Sequence, residues 1–317
     1  MPWLQLKVNS SRDQAEQIED KLLEAGAVSV TFEDNADEPI LEPALGETPL
    51  WHETIITGLF DAASDTKAIS ATINKAIHDI NHRWELLEDK DWEREWMKHY
   101  HPIQCGKKLW ICPSWIEPPH PESTNLLLDP GLAFGTGTHP TTFLCLQWLD
   151  QIQSEGKLKG KTVTDYGCGS GILAIASLLL GAETTTCVDI DPQALTATAD
   201  NAQRNGLSPD LTPVYLPDKA PNVATDVVIA NILAGPLVSL APLLNSLTKP
   251  GGLLCLSGII ESQANEVMES YQPWFDFDAP SCHEGWVRLT ATYFMRPLQE
   301  PEFCSLVRQK CTECGSL

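Results

Sequence analysis

The chain has 317 residues, 43% of them hydrophobic, an ordinary globular composition with length enough for two domains. Its formal net charge is −22, from 43 Asp and Glu against 21 Lys and Arg, which repels a phosphate backbone and argues against direct nucleic-acid binding. No uncharged apolar run reaches the ~18 residues of a membrane span, and no basic segment followed by an apolar core opens the chain, so a cytoplasmic protein without a membrane anchor is expected.

Residues 1–90 read as a small α+β unit. Residues 3–8 alternate as a strand does. Ser10 or Ser11 can cap a helix running to about Ala25, with Ile18, Leu22 and Leu23 on one face and Gly26 as its stop. Residues 28–33 and 54–60 are two more strands. A second helix over 66–80 carries Ile69, Ile73, Ala76 and Ile77 at helical spacing, and residues 84–87 are a last strand. The order β-α-β-β-α-β is that of a ferredoxin-like fold. The acidic, proline-bearing segment 34–49 is expected at the surface. Residues 91–106 read as a linker, with a short helix whose Trp92 and Trp96 share a face for packing against a neighbouring domain.

From residue 107 to 297 strands and helices alternate. Strand 109–112 leads into a proline-rich loop. A glycine-rich stretch over 130–139 precedes a helix over about 140–152. Further on, strand 162–164, helix 172–180, strands 184–188 and 225–230, helix 233–247 and strand 253–257 imply a parallel sheet covered on both faces. Residues 275–294 hold two strand-like runs without a helix between them, which suits an antiparallel hairpin at the sheet edge. Residues 298–317 read as a tail. Its Cys311-x-x-Cys314 is half of a zinc pattern, but only Cys304 joins them and no histidine lies among them, so no metal is expected. Cys168 and Cys187 fall in turn and strand, where a small buried apolar residue is the simplest reading.

Three motifs carry chemistry. The first is Gly167-Cys168-Gly169-Ser170-Gly171 between a strand and a helix, with Asp189 ending the next strand. Ile172 stands where a dinucleotide fingerprint would have its third glycine, which disfavours a nicotinamide cofactor. A compact nucleoside without a pyrophosphate needs only close backbone approach at Gly167 and Gly169, and Asp189 can accept both ribose hydroxyls. The second motif spans residues 129–142. Gly131, Gly135 and Gly137 permit loop geometries closed to other residues. Thr141 or Thr142 lies near a helix start that favours a carboxylate. His139 is either a base or a structural residue of a tight loop. In the third motif, Asn231 ends an apolar strand at the carboxyl edge of the sheet, where ligands bind. Its side-chain carbonyl can accept from a substrate amine, and it can also cap the next helix.

Together, residues 129–142, 165–171, 188–192 and Asn231-Ile232-Leu233-Ala234 resemble the bacterial ribosomal protein L-eleven methyltransferases, and the resemblance runs from Trp3 to about Arg296. The Gly-Thr-Gly-Thr-His-Pro-Thr-Thr loop is far more specific than the glycine turn, which many methyltransferases share. The resemblance implies a seven-stranded Rossmann-like methyltransferase domain over 107–297, joined to a ferredoxin-like domain over 1–90 that grips the substrate. It implies S-adenosyl-L-methionine as cofactor. The implied substrates are lysine side chains and the N-terminal amine of the eleventh large-subunit ribosomal protein. By position, Thr142, Gly167, Asp189 and Asn231 match the family's cofactor-contacting residues. Thr142 would lie near the methionine end, Gly167 against the backbone-facing side and Asp189 at the ribose. Asn231 would stand beside the reactive methyl as the catalytic residue. The ribosomal partner is expected to be basic, so the acidic chain would favour encounter with it. A different protein or small-molecule amine is the alternative substrate, although a separate N-terminal domain suits a protein.

Overall fold

The computed structural model describes residues 2–36, 48–76, 81–87, 100–129, 137 and 139–294. The chain divides into two compact units, Met1–His99 and Tyr100–Leu317, and the division falls inside the segment read as a linker. Trp92 and Trp96, the second motif's Gly131 and Gly135, and the tail 298–317 lie outside the described residues.

In the first unit β1 (Trp3–Ser11), α1 (Arg12–Glu24), β2 (Ser29–Asp34), β3 (Glu53–Asp61), α2 (Thr66–Ala76) and β4 (Asn81–Leu87) follow one another. The sheet order is β2-β3-β1-β4 with every neighbouring pair antiparallel. Alternation along β1 and β3 turns Leu6, Val8, Ile56 and Phe60 onto Ala15, Ile18 and Leu22 of α1 and Ile73 of α2. Leu23, read from the sequence as part of the buried face, is 47% exposed. Neighbours on a helix point about 100° apart, and Ala15 completes the stripe instead. Ser11 holds the capping position of α1 without a side-chain bond, while Ser10 Oγ donates to Gln14 Oε1 at 3.2 Å.

The second unit opens with a small sheet, β5 (Ile103–Gln104), β6 (Leu109–Cys112) and β7 (Thr124–Leu127), in that order. There follow α3 (Pro140–Ser154), β8 (Thr162–Tyr166), α4 (Ile172–Leu179), β9 (Thr184–Val188), α5 (Pro192–Arg204), β10 (Val214–Tyr215), β11 (Thr225–Asn231) and α6 (Ala234–Ser246). The unit ends in β12 (Thr248–Ile260), α7 (Ala264–Tyr271), β13 (Phe275–Phe277), β14 (Ser281–His283) and β15 (Trp286–Tyr293). The main sheet runs β10-β9-β8-β11-β12-β15-β13, parallel from β10 to β12 and antiparallel beyond. Among the described residues this path has the seven strands expected, and β14 pairs with β15 off the path, on the same edge as β13. The edge strand is broken at residues 278–280, where Pro280 has no N–H for the ladder.

Each face of this sheet carries its own core. Val163, Ile229 and Cys255 meet Leu146 and Leu149 of α3 and Ile172 and Ile175 of α4. On the other face Val228, Leu254 and Leu256 meet Leu237 and Leu244 of α6 and Val267 and Tyr271 of α7. A strand covered on both sides reads as one continuous apolar run, and the run 227–230 of β11 is such a strand. It delivers Asn231, its last residue, to the carboxyl edge.

Candidate cofactor and amine site

The glycine turn leaves β8 with Gly167 at a φ of +80°, a left-handed conformation that favours glycine. Space demands glycine as well, since a Cβ there would lie 2.2 Å from Ile232 Cγ2. The turn is fastened to the end of β9. The amides of Gly167 and Cys168 both donate to the Val188 carbonyl, at 2.7 and 3.1 Å. Gly169 N donates to Asp189 Oδ2 at 2.8 Å, and Asp191 N to Asp189 Oδ1 at 2.9 Å. Asp189 therefore orders the turn and its own strand end, a task the sequence did not disclose. Each carboxylate oxygen keeps a second acceptor site for a ligand hydroxyl. Beside it Ile190 is 81% exposed, an apolar surface at the edge of the turn that sequence reasoning passed over.

One strand away, the second and third motifs meet. Thr142 is buried in the first turn of α3, and Asn231 Nδ2 donates to Thr142 Oγ1 at 3.3 Å. Asn231 Oδ1 is buried without a hydrogen-bond partner among the described residues. A buried orphan acceptor is costly, and a hydrogen-bond donor such as an amine N–H would relieve it. The capping alternative for Asn231 falls away, because α6 begins at Ala234 and its capping position is Leu233. Thr142, Gly167 and Asn231 thus converge through Asn231 and its neighbour Ile232, and Asp189 joins them through Gly169.

His139 is the cap of α3. Its Nδ1 accepts from Thr141 N at 3.3 Å and lies 2.7 Å from Thr141 Oγ1. Burial pushes its pKa down, so the ring stays neutral at pH 7. The geometry favours the structural reading of this residue over the base. Its ring meets Trp286 edge-on with centroids 4.7 Å apart, and Phe143 lies 5.3 Å from His283. The β14–β15 hairpin is in this way joined to the helix start that carries Thr142.

Asp165, just before the turn, is fully buried. Its Oδ2 accepts from Ala174 N at 3.0 Å and its Oδ1 has no partner among the described residues. Burial pushes its pKa up to about 7. Cys168 and Cys187 are buried and carry no disulfide. Among the described residues, two of the concavities lie elsewhere. One, of about 560 Å³, runs along the outer face of α3 past Gln104, Lys107, Gln147 and Asp150. The other, of about 200 Å³, lies on the opposite sheet face beside Thr164, Tyr166 and Leu243. In the larger one both Asp150 oxygens are taken by the amides of Lys107 and Lys108, which leaves it a structural tie. Bare backbone at Gly167, the acceptor pair of Asp189 and the unpaired Asn231 carbonyl fit the nucleoside cofactor and amine that the resemblance implies.

A family model described as "Ribosomal protein L11 methyltransferase (PrmA)" matches residues 2–293. The protein named ribosomal protein L11 methyltransferase from Cellvibrio japonicus is 64% identical over 293 residues, 92% of this chain and 98% of that relative. Its namesake from Teredinibacter turnerae is 57% identical over 294 residues, 92% and 97% of the two chains. A crystal structure of ribosomal protein L11 methylase from Lactobacillus delbrueckii subsp. bulgaricus is 32% identical with a TM-score of 0.54, covering 62% of this chain and 100% of the other.

Proposed function

The chain belongs to the ribosomal protein L11 methyltransferase family, and from that premise we propose that it transfers methyl groups from S-adenosyl-L-methionine to lysine side chains and the N-terminal amine of ribosomal protein L11. The observation that carries the reading is the meeting of Thr142, Gly167 and Asn231 at one sheet edge, with an unpaired acceptor on Asn231. In this reading the turn at Gly167 lies against the nucleoside, Asp189 accepts from the ribose hydroxyls and Thr142 stands near the methionine end. The first unit recognises the protein substrate. No helix among the described residues is long and apolar enough to cross a membrane, which suits work in the cytoplasm on a newly made ribosomal protein.

The cofactor supplies an electrophilic methyl carbon on a sulfonium. The protein must present a neutral amine to it. A lysine with a reference pKa of about 10.4 costs roughly 4.6 kcal/mol to deprotonate at pH 7, whereas an α-amine near 8 costs much less. A neighbouring positive charge and partial burial both lower the lysine value. Asn231 Oδ1 accepts an N–H of the amine and aims its lone pair, and positioning supplies the main gain in rate. His139, occupied by Thr141, keeps the helix start in place.

Mass spectrometry of purified ribosomal protein L11, after incubation with the enzyme and S-adenosyl-L-methionine, tests this reading. Mass gains in methyl steps on lysines and on the N-terminal amine are expected. An unchanged mass would overturn it.

A further inference from the structure

We propose that Ile232 is a positioning residue for methyl transfer: wedged between Gly167 and a bulge in β12 at Gly258, it sets where Asn231 points relative to the glycine turn. The inference rests on the functional reading above.

The bulge is visible in the pairing of β12 with β15. Leu256 faces Leu289, but Ile259 faces Val287, so β12 carries one extra residue between them. Gly258 sits there with a φ of +88°. A Cβ on it would lie 2.3 Å from the Ile232 carbonyl oxygen, 2.8 Å from its carbon and 2.9 Å from its nitrogen. The backbone of β12 therefore bears directly on the backbone of Ile232. Ser257 secures the contact from both sides. Its carbonyl accepts from Ile232 N at 3.1 Å, and its hydroxyl donates to the Val287 carbonyl at 2.9 Å across the bulge.

The far side of Ile232 meets the turn. Its Cγ2 fills the space that a Cβ on Gly167 would take, 2.2 Å away. A path one residue thick thus runs from the bulge through Ile232 to the cofactor turn. Asn231 is the preceding residue, held in register opposite Ser257 and bonded to Thr142. A shift of Ile232 rotates Asn231 and disturbs the turn together. Bulges next to active sites re-aim side chains in this manner, and a misplacement of about 1 Å can cost roughly 100-fold in rate.

The β-branch of Ile232 is what makes contact, which gives the test. Ile232→Val keeps Cγ2 and loses a terminal methyl. Ile232→Leu keeps the volume and moves the branch away from Gly167. Both changes are mild for folding. With the full chain, S-adenosyl-L-methionine and ribosomal protein L11, Ile232→Val should stay within about 3-fold of wild-type kcat. Ile232→Leu should lose about 10- to 100-fold in kcat, with KM for the protein substrate within about 2-fold. Gly258→Ala, which presses on the Ile232 carbonyl, should lose kcat likewise. A merely structural role gives the reverse order, with Ile232→Val the more damaged because it leaves a void. Equal kcat for Ile232→Val and Ile232→Leu, or the reverse order, would overturn the inference while an active wild type leaves the functional reading standing. An inactive wild type would remove that reading and this inference with it.

Discussion

At the scale of single residues the site holds two side chains whose chemistry is unfinished in the fold. Asn231 ends its strand with its amide nitrogen committed to Thr142 and its carbonyl buried and unpaired. Replacing it by alanine removes the orphan acceptor together with one modest hydrogen bond worth about 1 kcal/mol, so the fold should tolerate it. Asn231→Ala should lose about 100-fold in kcat while calorimetry still registers cofactor binding, because the amine is no longer aimed. Full activity would remove the orienting role. Asp165 is the second case. Its carboxyl is raised from an ordinary value of 3.8 to about 7, chiefly by burial. The folded state therefore holds a proton that the unfolded chain gives up near pH 4. Its contribution to stability is fully present below that pH and is lost as pH rises through about 7. Asp165→Asn stays neutral and keeps an acceptor for Ala174 N. Relative to wild type it should gain on the order of 2 kcal/mol between pH 5 and 7, read as a shift in urea midpoint. A constant difference across that range would show that Asp165 does not titrate there.

At the scale of elements, the amino ends of three strands are tied at the edge opposite the site. Asp226 at the start of β11 accepts from Thr162 N at 3.1 Å, Thr162 Oγ1 at 2.8 Å and Lys249 Nζ at 2.9 Å. Burial opposes its ionisation, but these bonds outweigh it and hold the carboxyl below the usual carboxylate range. The stability it lends is present above the ordinary carboxylate pKa and is lost as pH falls through its own lower value. Asp226→Asn should cost about 1 kcal/mol at pH 7, a modest figure because Lys249 is 42% exposed, and wild type and variant should converge in acid. Methylation rate should not change, and thermal unfolding across pH checks the rest. The same scale shows what the sequence could reveal. The β8–turn–α4–β9 unit was legible because its glycines, its apolar run and Asp189 are local signals. So was the place of Asn231, since it ends a continuous apolar run of the kind a strand covered on both faces shows. The three-stranded sheet of β5 to β7 was not, because β5 has two residues and no period to read. The bulge at Gly258 depends on the backbone of Ile232, which is remote in sequence. Nor could spacing tell that Asn231 leaves the capping of α6 to Leu233, since that depends on how the chain turns after the strand.

For the whole molecule the dominant quantity is charge. A chain of net charge −22 projects a negative field over distances set by salt, about 30 Å at 0.01 M and about 8 Å at 0.15 M. If the partner is a basic ribosomal protein, that field raises the rate of encounter without adding contacts in the bound state. The consequence separates two uses of the acidity. Steering predicts that the association rate constant with ribosomal protein L11, followed by stopped flow, falls by about 10-fold or more from 0.01 to 0.15 M salt. It leaves the dissociation rate nearly constant, because the bound contacts are short-ranged. The turnover number at saturating substrate should also hold, since the hydrogen bond between Asn231 and Thr142 and the close packing at Gly167 are short-ranged and salt screens them little. An acidity that serves solubility alone predicts an association rate indifferent to salt. That outcome would leave the protein interface to shape and apolar contact, with the charge of the chain playing no part in finding its substrate.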